Sequence, residues 1–306
     1  MLKTRIRDQI RLIQQHHHAE ISGFLAAHWG GVNGFARPGH FPGAPAPERL
    51  REEAILGIAE HDNGWWEDEA LPRFSSQDGL PVGLGDSRQE LGRQELEEWR
   101  DGGFSRWRRG VDRLAARHPY AALMVSHHAS WLYATELPEG IRERYPAMPH
   151  FVFSGERDAS PLVGDPKKAV EFLEEQSRLQ AKLKACVAAH PFLAGAESVE
   201  ILYPHVRLLQ LLDTFSLYMA LNDRETHLFE NVPRGGWNQR TDIRWEWQNG
   251  NTIRLSPFPF DLDPLPVSFP VRLAPAGKNA TERRLETPIA SIVGAPYQTV
   301  EFLLRG

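Results

Sequence analysis

Apolar residues recur every three or four positions through most of the first 220 residues, and at every second position only toward the C-terminal end. The first spacing marks one face of a helix, the second a half-buried strand. Between residues 3 and 29, Ile6, Ile10, Ile13, Ile21, Phe24 and Leu25 predict a helix that stops at Gly30-Gly31. A Gly- and Pro-rich loop over 31–47 follows. Pro47-Glu48 opens a second helix with Leu50, Ala54, Ile55 and Ile58 inward; it runs into His61-Asp62 and ends near Gly64. Residues 70–87 read as irregular, and charged, Trp-bearing helices continue to about residue 117.

The most apolar helix, PYAALMVSHHASWLYA, starts at Pro119. After a loop-like stretch at 138–164, Asp165-Pro166 supplies an N-cap and a first-turn proline for a helix to about residue 189. Pro204 opens another, through about residue 222. Beyond Gly235-Gly236 the period changes. Residues 243–248 and 252–256 flank Asn249-Gly250, whose left-handed preference suits a hairpin turn. Residues 266–273 and 298–304 are further strand candidates. The expectation is a mainly α protein: a helical bundle over 1–235 with a small β-rich extension over 236–306 packed on it.

Composition narrows the function classes. The 306 residues suffice for about two domain-sized units. A net charge of -5 argues against nucleic acid as a partner, since a phosphate-binding surface is usually basic. Cys186 is the single cysteine, so no internal disulfide can form and a reducing compartment is expected. The first fifteen residues intersperse charges among apolar positions, unlike a signal peptide. No run approaches the roughly 18 apolar residues of a membrane span. A cytoplasmic protein with a small-molecule substrate and no membrane partner is expected.

Four places carry candidate chemistry. Asp213 lies mid-helix in LLQLLDTFSLYMAL, where almost no polar face exists. A carboxylate buried there costs at least several kcal/mol unless a cation or hydrogen bonds answer it. A metal would do so; an arginine or backbone groups would be the alternative. His61-Asp62 offers an imidazole and a carboxylate at one point of the backbone, a donor pair suited to zinc, iron or manganese. In His127-His128, His128 faces the core side with Met124 and Leu132, and His127 points about a quarter-turn away. In His16-His17-His18, periodicity does not choose the inward residue. Trp65 could stack a substrate or form pocket wall.

The order His18, HDxG (His61, Asp62, Gly64), His127-His128 and mid-helix Asp213 resembles the H…HD…D pattern of HD-domain metal-dependent phosphohydrolases. The segments QHHHAEISG, EHDNGWW, PYAALMVSHH, LLQLLDTFSLY and PFPF also resemble, over nearly the whole chain, an uncharacterised bacterial family, domain-of-unknown-function family 3891. By these resemblances His18 is favoured over its two neighbours and His128 over His127. The superfamily pattern implies His18, His61, Asp62 and Asp213 as ligands of a divalent ion (Mn, Fe, Zn or Mg). His128 would serve a second ion, a proton or the substrate, which makes Asp62 and His128 the catalytic candidates. Where such phosphohydrolases often carry a lysine after HDxG, this chain has Trp65 and Trp66. Arg207 is the candidate cationic substitute, with Trp65 and His127 as further substrate contacts. The implied activity is hydrolysis of a phosphate ester or phosphoanhydride. A di-iron oxygenase and a non-catalytic ligand-binding module are the alternatives.

Overall fold

The computed structural model describes residues 1–75, 80–83, 93–134, 165–275 and 294–306. The expected loop at 138–164 and part of the irregular stretch at 70–87 lie outside the described residues.

The chain begins with two strands, β1 (Leu2–Ile6) and β2 (Gln9–Ile13), where a helix was expected. The spacing of Ile6, Ile10 and Ile13 imitates a helix face. However, the chain reverses at Arg7-Asp8, with Ile6 opposite Gln9 and Arg7 at φ 57°. A two-residue reversal with a left-handed residue is a hairpin solution. What stabilises it is remote: β2 pairs with β6, placing Arg11 opposite Leu273.

Helix α1 (Gln15–His28) therefore starts directly before His16. It is followed by α2 (Pro47–Ala59), a 3-10 turn at Asn63–Trp65, and the short α3 (Trp66–Ala70). Then come α4 (Arg93–Ala115), α5 (Pro119–Ala134), α6 (Pro166–Ala188) and α7 (Val199–Ala220). Asp165 caps α6 by accepting a hydrogen bond from the Lys167 amide at 2.9 Å. Pro204 lies inside α7 rather than at its start: Ser198 is the N-cap, and buried Ile201 and Leu202 hold the extra first turn to the core.

Five strands follow: β3 (His227–Gly236), β4 (Gln239–Trp247), β5 (Thr252–Ser256), β6 (Leu265–Pro275) and β7 (Gln298–Arg305). The Asn-Gly hairpin forms between β4 and β5, with Gly250 at φ 55°. All seven strands make one sheet in the order β1-β2-β6-β7-β5-β4-β3. Its pairs are antiparallel except β5 with β7. On β6, Leu265, Val267, Phe269 and Val271 are buried, while Pro266 and Ser268 are exposed, so one face meets the core.

This corrects the expectation of a mainly α bundle with a small β extension. The helices pack with a curled, half-barrel mixed sheet, helix taking 48% and strand 23% of the described residues: an α/β fold. The physical reason is that the sheet draws strands from both ends of the chain, and its N-terminal pair carries a helix-like apolar spacing. Helices and sheet share one core. Phe215 of α7 packs on Phe229 of β3 and Trp245 of β4, with ring centroids 4.9 Å away in each case. Among the described residues no helix is long and apolar enough to cross a membrane.

Candidate metal centre

Four separate elements deliver the polar groups. His18 comes from the first turn of α1, His61 and Asp62 from the turn after α2, His128 from the middle of α5, and Asp213 from the middle of α7. Close backbone approach lets them meet. Gly23 faces Ala59 so closely that a β-carbon there would lie 2.4 Å from the Ala59 methyl, which brings α1 against the end of α2. Gly64 lies against α4: a β-carbon would fall 1.9 Å from the Arg106 carbonyl oxygen. The glycine of HDxG is thus required by packing. Arg109 donates to the Gly64 carbonyl at 2.8 Å and Arg113 donates to the Asn63 carbonyl, so α4 clamps the turn that carries His61 and Asp62.

His18 Nε2 lies 2.8 Å from Asp62 Oδ2. His61 Nε2 lies 3.3 Å from Asp213 Oδ1 and 3.8 Å from Asp62 Oδ2. His128 Nε2 is 3.5 Å from Asp213 Oδ2. Hence Asp213 turns one oxygen toward His61 and the other toward His128, and among the described residues its ion-pair partners are histidines rather than an arginine. His18, His61 and Asp62 each offer a ligand atom within 4.8 Å of the other two. The rings of His18, His61 and His128 are 1% exposed, and the Asp62 and Asp213 side chains 8% and 12%.

Hydrogen bonding fixes how His61 presents itself. Its Nδ1 lies 2.8 Å from the Ile58 carbonyl oxygen, which can only accept, so the ring carries its proton there. The other nitrogen, Nε2, is buried and aims at two carboxylates, Asp213 Oδ1 at 3.3 Å and Asp62 Oδ2 at 3.8 Å. Lone pair against carboxylate is repulsive unless a positive species lies between them, either a proton or a metal ion. The charges around His61 favour the proton. Burial alone would depress His61, but the charges of Asp62 and Asp213 and its hydrogen bonds raise it to about 9. Burial would raise Asp213, yet the surrounding His61, His128 and His18 hold it far below the usual carboxylate range. Burial dominates at His128 and lowers it to about 4 despite Asp213 nearby. The close group of two imidazoles and one carboxylate, His18, His61 and Asp62, fits a divalent ion of intermediate hardness, with Asp213 beside it and the His61 Nδ1 anchored on backbone.

Residues 1–276 match the family described as Protein of unknown function (DUF3891). The chain belongs to that family. No curated protein and no solved structure matches it. The resemblance to the HD-domain superfamily finds no support in these matches.

In this DUF3891 chain the remaining candidates lie away from the cluster. Trp65 packs with Val82, Leu96 and Trp99, and the Arg106 guanidinium sits 4.3 Å over its ring. Arg207 is buried and donates to the Glu230 carbonyl of β3 at 2.7 Å; burial and Arg240 push it down to about 8. His127 points toward Tyr203, with ring centroids 6.0 Å away, and burial lowers it to about 3. His205 is also a core residue, accepting from the Gly39 amide at 2.7 Å. Sequence reasoning missed two residues that touch the cluster: Ser22, four residues after His18, and Ser216, three after Asp213. Their helical offsets from the ligand candidates were the available signal. Trp107, whose ring centroid is 5.6 Å from that of His128, was also missed.

Proposed function

We propose that this protein is a metal-dependent hydrolase of a small-molecule phosphate ester or phosphoanhydride. The observation that carries the reading is His61: its Nδ1 is committed to the Ile58 carbonyl, and its buried Nε2 faces both carboxylates. His18, His61, Asp62 and Asp213 would hold the ion. A divalent ion there would lower the pKa of a bound water toward neutrality and polarise a phosphoryl oxygen.

The chain's own residues supply the rest. The substrate would meet the cluster across Asp62 and Asp213, whose side chains are 8% and 12% exposed against 1% for the rings. His128, kept neutral by burial, is placed to accept a proton beside Asp213. Trp107 and Trp131 flank His128 and shield that side from water. The choice of phosphate rests on the order of His18, His61-Asp62-Gly64 and Asp213 along the chain, which resembles that of HD-domain phosphohydrolases.

Metal analysis of the purified chain and a phosphatase panel, each with and without Asp62→Ala, test this. The expected result is about one equivalent of divalent metal and hydrolysis of at least one phosphate compound, both lost in the variant. Trace metal in the wild type, with hydrolysis unaffected by the substitution, would overturn it. Bound iron with oxygen consumption in place of hydrolysis would point to the oxygenase alternative, and full metal occupancy without turnover to a binding module.

A further inference from the structure

Beside the proposed ligands lies a pair of hydroxyls that the hydrolase reading does not use. Ser216 Oγ is 2.9 Å from His18 Nδ1, the ring nitrogen opposite the one that faces Asp62. The same hydroxyl donates to the Asp213 carbonyl at 2.8 Å. A serine has one hydrogen to give, so with that hydrogen on the carbonyl, Ser216 Oγ must accept from His18 Nδ1–H. Ser22 Oγ lies 3.0 Å from Ser216 Oγ, and also 3.1 Å from the His18 carbonyl and 3.2 Å from the Leu212 carbonyl. Both serines are fully buried, so water cannot substitute for either partner.

We infer that Ser216, backed by Ser22, is a positioning residue that keeps a proton on His18 Nδ1 and turns Nε2 to the cluster. The consequence for the site is specific. With Nδ1 holding its proton on Ser216, Nε2, 2.8 Å from Asp62 Oδ2, is the ring nitrogen left to meet a second proton or a cation shared with that carboxylate. Without the Ser216 acceptor, the proton moves to Nε2, where it makes an ordinary hydrogen bond to Asp62. That closed pair satisfies both groups with no cation and competes with metal. Ser216 also ties the ring of one proposed ligand to the backbone of another, since its two hydrogen bonds end on His18 and Asp213. The hydroxyls thus do for His18 what the Ile58 carbonyl does for His61, by side chains rather than backbone.

The effect on metal affinity rests on the metal-site reading; the position of the proton does not, and two measurements keep them apart. In metal-free protein, the His18 Nδ1–H proton should give a downfield, slowly exchanging resonance that disappears in Ser216→Ala. In calorimetric titration with Mn(II) alone, Ser216→Ala should weaken binding roughly 10-fold. Ser22→Ala should cause a smaller loss in the same direction, and Ser216→Thr, which keeps the hydroxyl, should retain the resonance. Thermal melts establish that each variant is folded. An Nδ1–H resonance unchanged in a folded Ser216→Ala protein overturns the inference, as does Mn(II) affinity equal to that of the wild type. A wild-type protein that binds no Mn(II) but loses the resonance in Ser216→Ala supports the positioning role and overturns the metal reading instead.

Discussion

Asp213 and His61 show how one residue's environment sets its charge. Neither group would be ionised in an apolar core alone; together, with Asp62, they stabilise each other's charged forms. His61, raised to about 9, therefore contributes stability to the metal-free protein that is fully present below its ordinary value of 6.5 and is lost as pH rises through 9. His127, His128 and His205 work in the opposite sense. Burial lowers them to about 3, 4 and 3, so between 6.5 and those values the unfolded chain takes up protons that the folded chain refuses. Their contribution is present above 6.5 and lost as pH falls. The melting temperature of the metal-free protein should therefore peak near pH 6.5 and decline on both sides. A flat or monotonic profile between pH 4 and 9 would contradict these assignments. Divalent ions must displace the His61 proton, so their affinity should rise over the same upper interval.

At the scale of elements, the turn after α2 depends on its fit against α4. Its backbone carbonyls at Asn63 and Gly64 are answered by Arg113 and Arg109, and Gly64 leaves no room for a side chain. Gly64→Ala should cost about 1–3 kcal/mol and shift Asp62 away from His18. Denaturant unfolding and Mn(II) titration would detect the two effects, and a variant with unchanged stability would refute the packing argument. Some of this was legible beforehand. His61-Asp62 at a helix end and Asp213 on an apolar helix both stood out, because a polar group among apolar positions is a local anomaly. The clamp by Arg109 and Arg113 was not legible, since a basic helix face reads as solvated until its partner is known. His127 and His128 differ by one residue, and only the packing of α5 shows that the second reaches Asp213 while the first turns to Tyr203.

The whole molecule is held together by a sheet whose middle comes late in the sequence. Strand β7 lies between β6 and β5, although the family match ends at residue 276. Leu304 pairs with both Leu265 and Ile253, and all three are fully buried. A chain ending at residue 276 would separate β1-β2-β6 from β5-β4-β3 and expose two unpaired, apolar edges. It should fail to give a single cooperative unfolding transition and should aggregate; circular dichroism melting and size-exclusion chromatography would reveal this. A soluble, cooperatively folding truncation would mean that the two halves of the sheet are independently stable.

From its residues alone the chain determined most of its helices, the Asn-Gly hairpin and the anomalous acid and histidines, because capping, turn chemistry and burial of a polar group act over a few neighbours. Only the tertiary structure decided that residues 2–13 are strands, because the partner that stabilises them lies some 260 residues away. It also decided that His18, rather than His16 or His17, meets Asp62, and that two serines complete the cluster. Those choices depend on how four elements approach one another, a property of packing that no local periodicity encodes.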